Sequence, residues 1–216
     1  MNNNLIETCV QRQIAGLQSV ADFVKTQEYE RFYNNICPLN LTTKLPGALI
    51  TKNQRIYISG VGKNSSIATK ISESMASLGV KSGYINPTNY LHGDAGFVED
   101  NDCVIYITRS GKTDEIHAMA EHLASNRPWI DQYLIHCNPD LPATEISLIF
   151  RQVLFIPGVV EGDEHQLAPT TSTTVFLCLL DTLTVALSAE LGFSKSDFLN
   201  FHPGGNLGSK LRKENE

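Results

Sequence analysis

A chain of 216 residues, 42% hydrophobic and 19% charged, is long enough for one domain with a full core and has the composition of a globular protein. Its net charge of −6 and its lack of a Lys/Arg cluster give nucleic-acid binding no electrostatic footprint, although a local site for a small anion remains open. The five cysteines are odd in number, widely spaced and without a CxxC pair, which argues for reduced thiols over disulfides or metal ligands. The N-terminus lacks the basic and apolar segments of a signal peptide, and there is no run of about 18 apolar residues, so no membrane span is expected and the cytoplasm is the expected compartment.

In chain order, Ile6, Val10, Ile14, Leu17, Val20 and Val24 recur at helical spacing, predicting one long amphipathic helix to about Ile36 and, after Pro38, a shorter one from Leu39 to Leu49. Arg55-Ile-Tyr-Ile-Ser59 then reads as a strand, Gly60-Val-Gly62-Lys63 as a turn, and Asn64 to Leu78 as a helix, the opening of a βαβ unit. Further strands are predicted at Gly83–Asn86, Cys103–Thr108, Gln132–His136 and Gln152–Ile156. A helix from Thr113 to about Ser125 follows the third strand, and Thr171–Leu191 and Ser194–Leu199 read as the last helices. Strands alternating with helices predict an α/β fold with a five-stranded parallel sheet covered on both faces. The whole of 1–216 reads as one domain, with a helical segment over 1–50 and an α/β core over 51–216.

Such sheets bind ligands beyond the carboxyl ends of their strands. Lys63, Ser110 and Glu161 all follow predicted strands and so can converge there. Gly60-Val-Gly62 falls short of a dinucleotide fingerprint, because no third glycine follows at the required spacing; Lys63 is either a solvated surface lysine or a cation aimed at a phosphate or developing oxyanion. Thr108-Arg-Ser110-Gly-Lys-Thr113 can cap a helix or bind phosphate, since both uses draw on the same orphan N–H groups. Glu115 falls in the first turn of the following helix and Glu161 in an acidic loop, each a solvated residue or a site residue. His92, in the glycine-flanked loop Tyr90-Leu-His-Gly-Asp-Ala-Gly96, and His202, in Phe-His-Pro-Gly-Gly, are the histidines placed for chemistry, whereas His117, His122 and His136 read as surface or packing groups. No ligand spacing supports a tight metal site.

Taken in order, Gly60-Val-Gly-Lys63-Asn-Ser, His92-Gly-Asp94-Ala-Gly96, Ser110-Gly-Lys-Thr-Asp-Glu115, Leu167-Ala-Pro-Thr-Thr-Ser-Thr-Thr174 and His202-Pro-Gly-Gly-Asn-Leu-Gly208 resemble the sugar isomerase (SIS) domain of D-arabinose 5-phosphate isomerases, from about Leu5 to Leu211. The resemblance implies an αβα sandwich that interconverts D-ribulose 5-phosphate and D-arabinose 5-phosphate for the synthesis of Kdo. It implies catalytic roles for Lys63, Glu115, Glu161 and His202, with His92 at the substrate. It also implies a homotetramer whose sites lie between subunits, and CMP-Kdo as a candidate feedback inhibitor. The chain departs from the family in stopping at Glu216 without the tandem CBS modules of longer relatives. It also carries Asn86 in place of a common His before Pro87, Lys112 in place of Glu, and Arg109 in place of a small polar residue.

On this reading Ser65, Ser110, Thr113 and Ser172 hold the phosphate and sugar, Lys63 polarises the carbonyl, and a Glu/His pair drawn from Glu115, Glu161 and His202 moves the proton, with no metal or organic cofactor. The alternatives are another phosphosugar isomerase, for sedoheptulose 7-phosphate or a hexulose 6-phosphate, and a non-catalytic phosphosugar-binding regulator.

Overall fold

The computed structural model describes residues 3–37, 54–141 and 148–204. The helix predicted over 39–49 and the chain after 204 lie outside these residues. β1 (Ile56–Ser59), β2 (Ser82–Tyr84), β3 (Cys103–Thr108), β4 (Asp131–His136) and β5 (Gln152–Phe155) form one five-stranded parallel sheet in the order β2-β1-β3-β4-β5. Every residue of β1 and β3 is buried, as expected for parallel strands covered on both faces.

The alternation along β3 divides the interior. Cys103, Ile105 and Ile107 face a core shared with α1 (Asn3–Phe23), α2 (Gln27–Ile36), α3 (Lys63–Ser77) and α6 (Thr171–Glu190). Val104 and Tyr106 face a second core built with α4 (Pro87–Tyr90) and α5 (Asp114–Asn126), to which α5 contributes Ile116, Met119, Ala120 and Leu123 at helical spacing. The result is a helix–sheet–helix sandwich, with α7 (Lys195–Phe201) appended after α6. By length and hydropathy α6 could cross a membrane. Its Val175, Phe176, Leu179, Leu180, Leu183 and Leu187 are instead buried in the first core.

One expectation for the N-terminal region is corrected. The single long helix is two, because Thr26 adopts extended backbone and its hydroxyl accepts from the Tyr29 N–H at 3.2 Å, starting α2 afresh. Only the end of the apolar stripe meets the core: Val20 and Val24 pack there, whereas Ile6, Val10, Ile14 and Leu17 stay 53%, 49%, 52% and 37% exposed. The packed face carries Gly16, Val20 and Phe23, turned roughly 100° from those four exposed residues at about 100° per residue. Gly16 makes that docking possible, since a Cβ there would come within 2.6 Å of Thr171 Cγ2 on α6.

Candidate active site

The strand order reverses between β1 and β3: from β1 the chain crosses to one side of the sheet to form β2, then returns to the other side for β3. A crevice therefore opens beyond the carboxyl ends of these two strands. One wall is the turn from Gly60 to Lys63, where Gly62 takes φ +62 at the N-cap of α3. The other is the loop from Arg109 to Thr113, where Gly111 takes φ +69 and a Cβ would collide with the Leu141 side chain. The Gly111 carbonyl is pinned by His117, whose Nε2 donates to it at 2.7 Å.

Helix ends at this crevice differ from those elsewhere. The helices α2, α4 and α7 are capped by the side chains of Thr26, Asn86 and Ser194, the last in a reciprocal capping box with Asp197. At α3 and α5, which begin on the two walls, no side chain caps the N-terminus. Thr113 stands at the N-cap of α5, but its hydroxyl pairs with Thr108 Oγ1 at 2.7 Å. Ser110 Oγ closes only a local turn, accepting from the Lys112 N–H at 3.1 Å. The choice left open by the sequence, capping or anion binding, thus falls toward the second: two helix dipoles meet at one crevice with no side-chain cap among the described residues. Ser65 Oγ donates to the Gly62 carbonyl at 2.6 Å and keeps its lone pairs for a ligand.

The third helix to begin at this edge, α6, is capped differently. Glu161 is fully buried, and its Oε2 accepts from the Thr170 N–H at 2.9 Å, the Ser172 N–H at 3.2 Å and Thr170 Oγ1 at 3.2 Å. Its Oε1 takes the Ser172 hydroxyl and lies 3.1 Å from Arg109 Nε. Arg12 of α1 braces the loop from behind, donating to the carbonyls of Glu161 and Asp163 at 2.7 and 2.9 Å. Ser172 is thus committed to Glu161, and the acidic loop, read as solvated or functional, has its first carboxylate inside the protein.

Lys63 and Glu115 are exposed in the first turns of α3 and α5, on opposite walls. His92 is exposed after α4, beyond the end of β2. His202 is not with them. Ser188 Oγ donates to the Leu78 carbonyl at 2.9 Å, Phe193 fills the space beside Gly79, and the Phe193 and Phe201 rings meet at 5.5 Å, so α7 sits against the far end of α3. His202 stacks on Phe198 at 3.8 Å with Nδ1 2.8 Å from the Phe198 carbonyl. At about 1.5 Å per residue along α3, that end of the sheet is about 20 Å from Lys63. His202 cannot reach the crevice of its own chain.

Sequence reasoning misses three groups here. His117 reads as packing in the sequence, yet it fixes Gly111. Tyr84 closes β2 with its hydroxyl 3.3 Å from the Gly60 carbonyl, its phenol pushed up by burial and partly relieved by the Ser65 and Asn86 side chains. His136, at the end of β4, is only 4% exposed, stacks on Phe155 and accepts the Asn138 N–H at Nδ1, while Asn138 Nδ2 holds the Ser110 carbonyl at 2.9 Å. The signal that could have found His136 is its position at a strand end next to the crevice.

Burial lowers the His136 pKa from 6.5 to about 4. Between these values the unfolded chain binds a proton that the folded chain refuses, so stability falls as pH drops through the window. About 3 kcal/mol is lost by pH ~4. Denaturant titrations from pH 7.5 to 4 should show this slope, and His136→Asn, which keeps an acceptor for the Asn138 N–H, should flatten it; an equal slope in the variant would remove the assignment.

The SIS domain model matches residues 49–186 of this chain. The chain belongs to the SIS domain family. Within that family it is 36% identical over 197 residues to an uncharacterized Helicobacter pylori protein, covering 91% of this chain and 55% of that one. It is 33% identical over 199 residues to the arabinose 5-phosphate isomerase KpsF of Escherichia coli O6:H1, covering 92% and 55%. The chain therefore spans about half the length of these curated relatives. Among solved structures, an E. coli CFT073 protein in complex with arabinose 5-phosphate superposes with a TM-score of 0.74 at 26% identity, covering 94% of this chain and all of that one. A Bacteroides fragilis protein ascribed a phosphosugar-isomerase role in capsule formation gives 0.74 at 26% identity, covering 93% and 98%. The SIS fold expected from the sequence is the fold observed.

Proposed function

We propose that this SIS domain is an aldose–ketose isomerase of phosphorylated sugars, with D-ribulose 5-phosphate and D-arabinose 5-phosphate as its pair. The observation that carries the reading is the pair of uncapped helix N-termini on either wall of one crevice, with Lys63 on one wall and Glu115 on the other. An anion site beside a fixed ammonium and a carboxylate suits a substrate with a charged tail and a carbon acid at the other end. The name borne by the KpsF relative and the sugar phosphate held by the E. coli CFT073 neighbour point the same way.

In the ketose-to-aldose direction a base takes a proton from C1, and negative charge moves onto the C2 oxygen, giving an enediolate. The proton then returns to C2 as the C1 hydroxyl loses its own. The Lys63 ammonium stabilises the enediolate oxygen, as a preorganised charge at the developing anion. Glu161 has both oxygens occupied inside the protein, so proton transfer falls to Glu115 with His202 of a neighbouring subunit, and His92 recognises sugar hydroxyls or opens the cyclic aldose. No metal or organic cofactor enters this scheme, and the domain works in the cytoplasm, feeding Kdo synthesis.

Two features support an assembly with shared sites, the homotetramer of the resemblance: His202 stands far from its own crevice, and α1 presents apolar side chains that no described residue covers. CMP-Kdo stays a candidate inhibitor.

The direct experiment mixes the protein with D-ribulose 5-phosphate and follows the aldose formed, then compares kcat/KM over five-, six- and seven-carbon ketose phosphates. Highest kcat/KM for the pentose supports the reading; preference for a longer sugar moves it to the sedoheptulose or hexulose alternative, and no turnover of any moves it to a sensor. Ser110→Ala with Thr113→Ala should raise KM for the phosphosugar about 10-fold or more, each lost hydrogen bond to the anion being worth roughly 1.5–3 kcal/mol at most; an unchanged KM discards the phosphate loop.

A further inference from the structure

Arg109 follows β3 directly and continues the alternation that turns Cys103, Ile105 and Ile107 toward α3 and α6. Its Nε lies 3.1 Å from the fully buried Glu161, while 46% of its side chain remains exposed. No hydrogen bond ties its terminal nitrogens to a described residue. A guanidinium anchored through Nε presents its outer N–H groups as a fixed fork, and that fork matches two oxygens of a phosphate. The same face carries another mark of an incomplete polar site. Asn64, in the first turn of α3, donates from Nδ2 to the Ile107 carbonyl at 3.4 Å, and its buried Oδ1 has no hydrogen-bond partner among the described residues.

We propose that Arg109 is a phosphate ligand of the crevice and that Glu161 is the positioning residue that aims it. The proposal rests on the phosphosugar reading above and names the residue that sets how tightly this chain holds the anion. Arg109 stands next to Ser110 on the same loop but is turned toward Glu161, which precedes α6, so it adds a contact that Ser110 cannot make. The competing account makes Arg109 only the counter-ion that lets Glu161 stay buried.

Arg109→Lys separates the two. A lysine keeps one cation beside Glu161 but has no second nitrogen for a ligand, so a counter-ion role survives and a ligand role does not. Binding of inorganic phosphate, measured by calorimetry on the intact chain, should weaken roughly 10–100-fold in Arg109→Lys, with Tm close to that of the parent protein. KM for D-ribulose 5-phosphate should rise in parallel and kcat fall far less. Glu161→Gln should weaken phosphate binding by a smaller factor and leave both limbs of the kcat pH profile in place. Unchanged phosphate affinity in Arg109→Lys and Arg109→Ala, with only Tm lowered, overturns the proposal, and loss of a pH limb in Glu161→Gln overturns the positioning role. If the parent protein isomerises no ketose phosphate yet loses phosphate affinity in Arg109→Lys, the isomerase reading fails and the Arg109 assignment stands.

Discussion

Lys63→Ala should lower kcat for D-ribulose 5-phosphate by about 10³-fold or more, the scale reached when a preorganised group at a developing oxyanion is removed. Lys63 is exposed at the first position of α3 and takes no part in either core, so the variant should unfold at the parent temperature. KM should move much less than kcat, because the ammonium acts on charge that exists only in the transition state, while the phosphate is held by the ends of α3 and α5. The check is steady-state kinetics with a thermal melt on the same preparation. Turnover within about 10-fold of the parent would remove Lys63 from the chemistry, since even one modest general acid–base contribution exceeds that.

His202→Ala should be as damaging, but for a reason that lies in another subunit. With the crevice about 20 Å from α7 in the same chain, the proposed mechanism takes each site's histidine from a neighbour. Lys63→Ala and His202→Ala proteins, each nearly inactive, should therefore recover activity when mixed under conditions that exchange subunits. A site made from the crevice of a His202→Ala chain and the histidine of a Lys63→Ala chain lacks nothing, and random mixing yields such sites at up to about one quarter of the total. Turnover after exchange that merely equals the sum of the two parents would show that the sites are not shared. Val10→Glu with Ile14→Glu, two charges on the exposed stripe of α1, should shift the protein to smaller species in size-exclusion chromatography and cut turnover with it.

Much of this architecture could be read before the fold was known, for identifiable reasons. The strands were legible because a parallel sheet buries both faces, leaving short continuous runs such as Cys103–Thr108 that nothing else in the chain imitates. Lys63, Ser110 and Thr113 were legible because strand, turn and helix in succession place them at one edge of the sheet. The direction of an apolar stripe was not: Ile6, Val10, Ile14 and Leu17 repeat as core residues do, and periodicity does not distinguish a face that meets the sheet from one that meets another surface. Nor was the break at Thr26, where a single hydroxyl restarts the helix within an otherwise helical run. The bond between Arg109 and Glu161 was hidden for a different reason. It joins loops that follow different strands, and although each residue was placed near the crevice, nothing in the sequence pairs the two.

The missing side chain at Gly16 has a consequence for how α1 is carried on the protein. Because α1 rests directly on the first turn of α6, with Thr171 filling the space a methyl group would need, the two rods are locked in one tilt and one depth. Alanine at this spot would prise them apart, and the outward ridge of isoleucine and valine would swing with the displaced rod. The bracing of the Glu161 loop by Arg12 would slacken in the same movement. A single absent carbon thus sets both the angle at which this ridge is presented and the tension on the loop that carries Glu161.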